Sequence, residues 1–323
     1  SNSIGEWIMA LTINGTTSAV ALISDTSNIG LGANAVDSIT TGDYNVGLGR
    51  DVLTANTTGN NNSALGDSAL AKNISGGNNV SIGEGSLYDN TSGGNNVAIG
   101  KSSLANNTTA SENTAIGYNA LNANTTGQPN IAVGNYSLEA NTTGTSNVAI
   151  GLSALKTNTT GIKNQAMGQN ALRLNTTGSG NTSIGHSALY SNTTAGDNTA
   201  IGKDSLYSNT TGDSNVAVGK DALFNNTTGA NNVAIGMEAG LSNTTGGNNT
   251  VLGYGALEKN TTASNNTAIG RDALEENTTG SENVAVGTQS LDANTTGSDN
   301  TAVGVYALSA NTTASTNTAV GRL

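Results

Sequence analysis

One period governs this chain. Glycine stands at position 32 and at every seventeenth position after it, up to Gly321, eighteen glycines in all. Four residues before each stands an asparagine, from Asn28 to Asn317. Seven residues after it runs another asparagine column, Asn56 to Asn311, with Ile39 in its place at the start. The stretch from Asn147 to Lys163, NVAIGLSALKTNTTGIK, is a clear copy of the unit. An unbroken short period means one supersecondary unit stacked on copies of itself, which overrides the prior of about two globular domains for such a length. The 43 glycines come with one proline and no triplet phase, which excludes collagen. Low hydrophobicity fits disorder, but disordered tracts do not hold Ile, Leu and Gly in phase over eighteen repeats.

Within the unit, Val148 and Ile150 alternate with Asn147 and Ala149, as in a strand. Gly151 follows, where the chain must turn through angles other residues avoid. Ala154-Leu155 reads as a second short strand, and Asn158-Thr159-Thr160-Gly161 as a second turn. The expectation is an all-β fold: a parallel β-solenoid, or β-roll, with 17-residue coils, about 18 of them. At about 4.8 Å per coil the rod is about 80–85 Å long. Helix is excluded by the density of Val, Thr, Asn and Gly. Stacked asparagines predict amide ladders, each donating to one copy and accepting from the other. Which face of the strand is interior stays open. If Ile, Val and Leu face inward, a stripe of Ala and Ser faces out; if the parity is reversed, the large aliphatics lie outside and must be covered. Either way a partner chain is expected, and with it a homo-oligomer.

Two domains follow: residues 1–27, outside the period, and the solenoid of 28–323. In the first, Glu6 to Ile13, the pair Asn14-Gly15, and Thr16 to Ile23 read as a hairpin that caps the solenoid or docks on a neighbouring chain. The candidate docking residues are Trp7, Ile8, Met9, Leu11 and Ile13. No signal peptide is recognisable, and Trp7 to Leu11 is too short for a membrane span, so no membrane insertion is expected. A net charge of −11 argues against nucleic acid and anionic membranes, and no cysteine means no thiol chemistry.

With the motifs NxAIGxxAL and NTTGxxN laid out, residues 28–323 resemble the repeat regions of phage and viral tail-fibre proteins. They are also similar to the heads of trimeric autotransporter adhesins, whose repeats are usually shorter. The resemblance implies a left-handed parallel β-roll, three chains side by side, and an extracellular, cell-surface or virion-surface location.

No catalytic, cofactor or metal site is legible. His186 is alone at a variable position, acidic residues such as Asp204, Asp221, Glu238 and Asp272 recur in some coils only, and no coil carries a loop insertion to hold catalytic groups. Two sets of residues are candidate sites. Every asparagine of the Asn158 column opens an N-x-Ser/Thr acceptor: Asn56, Asn73, Asn90, Asn107, Asn124, Asn141, Asn158, Asn175, Asn192, Asn209, Asn226, Asn243, Asn260, Asn277, Asn294 and Asn311. Tyr190, Tyr207 and Phe224 fall at equivalent places in three successive coils and point away from the core-facing Leu189, Leu206 and Leu223, an aromatic ladder of a kind that contacts glycans or partner chains. The paired threonines are similar to ice-binding solenoids, but adjacent threonines point to opposite sides, so only one column faces out. Two irregular coils stand apart: Gly240 with Leu241 predicts a bulge, and Gln165 with Met167 predicts the softest coil. The leading functional expectation is a non-enzymatic structural rod of a fibre or adhesin, without cofactor, that spaces and displays a binding part for a cell-surface glycan or protein. The alternative is a self-assembling extracellular filament with head-to-tail docking of the N-terminal segment; a glycan- or ice-binding solenoid is the distant one.

Overall fold

The computed structural model describes Val20–Leu22 and residues 27–322. Among the described residues every regular element is a three-residue strand. After β1 (Val20–Leu22) and β2 (Ile29–Leu31), one strand recurs per coil, through β9 (Val148–Ile150) and β10 (Gln165–Met167) to β19 (Thr318–Val320). The eighteen strands β2 to β19 lie parallel in one sheet, in register, so that Val148 faces Gln165 and Ile150 faces Met167. The chain is thus an all-β solenoid of 17-residue coils. β1 pairs antiparallel with β2, Val20 opposite Leu31, and covers the edge that β2 otherwise presents. The rest of the hairpin, with Trp7, Ile8, Met9, Leu11 and Ile13, lies outside the described residues.

One sequence reading needs correction. Ala154-Leu155 is not a second strand. It belongs to a turn in which Ser153 and Leu155 have φ of 55° and 52°, a left-handed conformation rare for leucine. Stacking holds it there: the Leu155 N–H donates to the Ala171 carbonyl at 2.9 Å, and Ser153 N–H to Asn135 at 3.0 Å, a pattern repeated coil after coil. Parity, which the sequence leaves open, is decided by the structure. The middle residue of each strand is interior, so Ala149 is fully buried, while Ile150 is 41% exposed and Val148 half-buried. The interior is filled by the Ala149, Ala154 and Leu155 columns, with Leu53 to Leu223 all but fully buried at that last position. The large β-branched residues stand outside, because the coil is too narrow to hold them together with a leucine.

The Gly151 column has a compelling backbone reason. Gly151 has a φ of +135°, and a Cβ there would lie 2.6 Å from the Gly168 carbonyl oxygen of the next coil. From Gly32 to Gly304 each stacked glycine repeats that contact, and all eighteen, Gly321 included, hold a positive φ.

Core volume is conserved by exchange between neighbouring columns. Val52 replaces the usual alanine, and Gly47 faces it: a Cβ on Gly47 would lie 2.9 Å from Val52 and 2.5 Å from Val36 of the coil before. Val251, the one valine in the Ala149 column, stands eleven residues after Gly240, the same separation as Gly47 from Val36, and a Cβ on Gly240 would meet Leu223 at 3.1 Å. Gly240 holds the left-handed turn at φ +62°, its N–H still donates to Ala256 at 2.9 Å, and the strands on either side stay paired. No bulge forms, since glycine occupies this conformation more readily than the leucine it replaces. Gly240→Leu alone should cost about 1–3 kcal/mol by overpacking, and Val251→Ala alone about 1–2 kcal/mol through a cavity. Combined, they restore the ordinary column pair and recover most of the loss, a coupling that urea midpoints of the four proteins would measure. Gln165 and Met167, for their part, both point outward while Ala166 and Leu172 fill the core, so the expected soft coil is not softened inside.

Candidate functional site

The two asparagine columns are the polar spine of the rod. In the Asn158 column each amide donates twice: Asn158 Nδ2 reaches Asn141 Oδ1 of the preceding coil at 2.9 Å and the Gly161 carbonyl of its own at 3.0 Å. Its Oδ1 accepts from Asn175 at 2.8 Å. The Asn147 column forms the predicted amide-to-amide ladder at part of its steps, as where Asn62 Nδ2 reaches Asn45 Oδ1 at 3.0 Å, and adds backbone partners to it. Asn147 Oδ1 accepts the backbone N–H of Asn164 at 2.9 Å, while Asn147 Nδ2 donates to that same Gly161 carbonyl at 2.9 Å. Both columns therefore converge on one carbonyl per coil, which local reading missed because its donors come from three residues before it and from fourteen. Thr159 adds a third ladder, its hydroxyl donating to the Thr176 carbonyl at 3.0 Å.

This geometry overturns the glycosylation reading. Asn56 through Asn294 are buried, and the half-buried Asn311 keeps both of its donor bonds, 3.0 Å each. From Asn73 onward both amide hydrogens are engaged, and Asn56 is buried with one on the Gly59 carbonyl, so the folded rod has no room for a glycan at the buried sequons.

Tyr190, Tyr207 and Phe224 do form a ladder, with successive centroids 5.1 Å apart and planes within 8° of parallel. Their ring faces cover one another, and Arg173 lies 5.8 Å over the outer face of Tyr190 while donating to its hydroxyl at 3.1 Å. The faces are thus not free to stack on a sugar ring; the half-exposed edges are what the ladder presents. Leu241 continues the same column beyond Phe224 and, with Asp221, Phe224 and Asn225, lines a surface hollow of about 420 Å³.

The outer face of the sheet carries two side-chain columns. One holds Val148 and its copies, mostly valine and threonine; the other holds Ile150 and its copies, all aliphatic except Met167, which is also apolar. Ile116, Ile184, Ile201 and Ile235 are each 37–39% exposed, so the strip is continuous and uncovered within one chain.

Charges sit at variable corners. Arg50 bonds Asp67 at 2.6 Å and holds that carboxyl below its ordinary range. Glu275 and Asp292 are pushed up from theirs, by burial first and then by Asp272 and other carboxylates. His186 is a half-exposed side chain with Asp204 3.8 Å away, and Lys203 and Lys220 bond Asp204 and Asp221 at 2.9 Å. Among the described residues no three His, Cys, Asp or Glu side chains cluster as metal ligands, and no helix is long and apolar enough to cross a membrane. Compared with known proteins, the chain matches no family model and no curated protein.

Proposed function

We propose that the protein is a non-enzymatic structural rod that packs laterally against copies of itself and, as part of a fibre or adhesin on a cell or virion surface, holds a binding part away from that surface. The observation that carries this reading is the uncovered aliphatic strip. It runs along eighteen strands, about 80 Å, as one wholly apolar column beside a mixed column of valine and threonine, at the upper end of what monomers leave open. Only a surface with the same 4.8 Å repeat matches it over its whole length, and a second copy of this chain has that repeat. The stacked, insertion-free coils supply stiffness and span, and the resemblance to fibre and adhesin repeats supports the surface location.

Electron microscopy with a measured mass tests it. Discrete rods of fixed stoichiometry, about 80 Å long, are expected. Ile150→Lys with Ile184→Lys should reduce them to single chains, since each lysine interrupts the strip without entering the core. A wild-type protein that stays monomeric at high concentration, or one that grows into threads without limit, would refute the lateral rod; threads would favour a head-to-tail filament.

A further inference from the structure

One exposed column, that of Lys156, carries an ordered series that the rod itself does not need. Lys156 and Arg173 come first, then Tyr190, Tyr207, Phe224 and Leu241, then Glu258 and Glu275. All eight side chains are half-buried, so each presents an edge to solvent. Among the described residues Arg173, Glu258 and Glu275 have no ion-pair partner. They cannot serve one another within one chain: Arg173 and Glu258 are five coils apart, about 24 Å, two to three times the screening length of about 8–10 Å.

The series is self-complementary about its middle. Arg173 stands two coils before Tyr207, and Glu258 two coils after Phe224; Lys156 stands three before, and Glu275 three after. A two-fold axis across the rod, midway between Tyr207 and Phe224, therefore sets Arg173 of one chain opposite Glu258 of the other and Lys156 opposite Glu275. The same axis places Tyr190 opposite Leu241, whose hollow of about 420 Å³ beside Phe224 can receive a ring edge. The nearby like charges are neutralised: Asp204 and Asp221 by Lys203 and Lys220, and Glu139, opposite Asp292, by Lys156 at 3.2 Å.

We infer that this column is an isologous contact through which two rods join antiparallel, centred on the Tyr207–Phe224 step. The partner is a second copy of this chain, and the contact is distinct from the aliphatic strip of the sheet. Its length, seven coil steps or about 34 Å, and its single-column width place it among small, reversible interfaces. Exposed charge pairs at its ends make it salt-sensitive and fix the register.

Charge exchange between chains tests it. Wild-type protein should double its basal mass as concentration rises, whatever the basal particle is, and lose the doubling in high salt. Arg173→Glu and Glu258→Arg should each weaken doubling at least about tenfold, because each sets two like-charged pairs face to face. An equimolar mixture of the two variants should recover it, since both pairs are then of opposite sign. In a chain with no native cysteine, Arg173→Cys mixed with Glu258→Cys should form a disulfide between the two variants and not within either population. Absence of doubling in the wild type, single variants that double normally, a mixture that does not recover, or cross-linking of Arg173→Cys to itself would each overturn the proposal. None of these outcomes depends on whether the sheet strip is covered.

Discussion

Gly151→Ala should unfold at a much lower urea concentration than the wild type, while Gly161→Ala should be close to neutral. Both glycines sit in stacked columns, and a Cβ at either would crowd the next coil. The difference is the backbone. Gly151 holds φ +135°, and its added methyl would meet main chain, the Gly168 carbonyl carbon at 2.7 Å, which cannot move without shifting a whole coil. Backbone strain of about 1–3 kcal/mol and overpacking of about 1–3 kcal/mol give a loss of about 2–6 kcal/mol. Gly161 has no positive φ, and though a Cβ there would meet the Gly178 carbonyl oxygen as well as side-chain atoms of the asparagine ladder, alanines elsewhere in the column show that the coils accommodate it. Ala110, Ala195 and Ala263 already occupy the same column, buried, with Asn107 still donating to the Ala110 carbonyl at 2.9 Å. Gly161→Ala should therefore stay within about 1 kcal/mol, helped by a less flexible unfolded chain. Equal midpoints for the two variants would show that stacking, and not left-handed backbone, explains the column.

The second large effect is expected at Asn158. Replacement by alanine strands Asn141 Oδ1 and one Asn175 hydrogen inside the rod, while the Gly161 carbonyl keeps the Asn147 amide. Two buried unmade hydrogen bonds at about 1–3 kcal/mol each predict a loss of about 2–6 kcal/mol. Asn158→Asp is worse at neutral pH, because it turns a donor into a buried anion aimed at two acceptors. Burial raises the folded-state pKa of such a carboxyl, so the neutral form is favoured in the folded chain. Stability is then highest below the unfolded value, about 4, and is lost as pH rises through the raised folded value. The urea midpoint should thus be higher at pH 4 than at pH 7, relative to wild type at each pH, without reaching it, since the protonated carboxyl has one donor where the amide has two. An aspartate variant as stable as wild type at pH 7 would mean that the column is not a dry ladder.

How far the residues alone lead is instructive. The seventeen-residue period, the glycine column and the asparagine columns are legible because stacking makes each place repeat the same demand. Parity is not, because alternation tells which residues share a face but not which face is inside. Here the deciding quantity is width: Ala149, Ala154 and Leu155 fill a coil that has no space for Ile150. Leu155 misleads for a related reason. Its chemistry favours extended backbone, and only hydrogen bonds to the coils above and below hold it left-handed. The carbonyl of Gly161, where both asparagine columns meet, is invisible in a linear reading. At the aromatic positions the ladder was legible, but that the rings consume one another's faces follows only from their near-parallel planes.

The asparagine spine has a further consequence for how such a molecule changes over generations. Because every amide is satisfied by the coil before or after it, any internal coil can be removed or duplicated and its neighbours will meet the same partners they had. A shift by any other number of residues breaks all the columns at once. Length is therefore a digital quantity here, adjustable in steps of about 4.8 Å by gain or loss of seventeen codons.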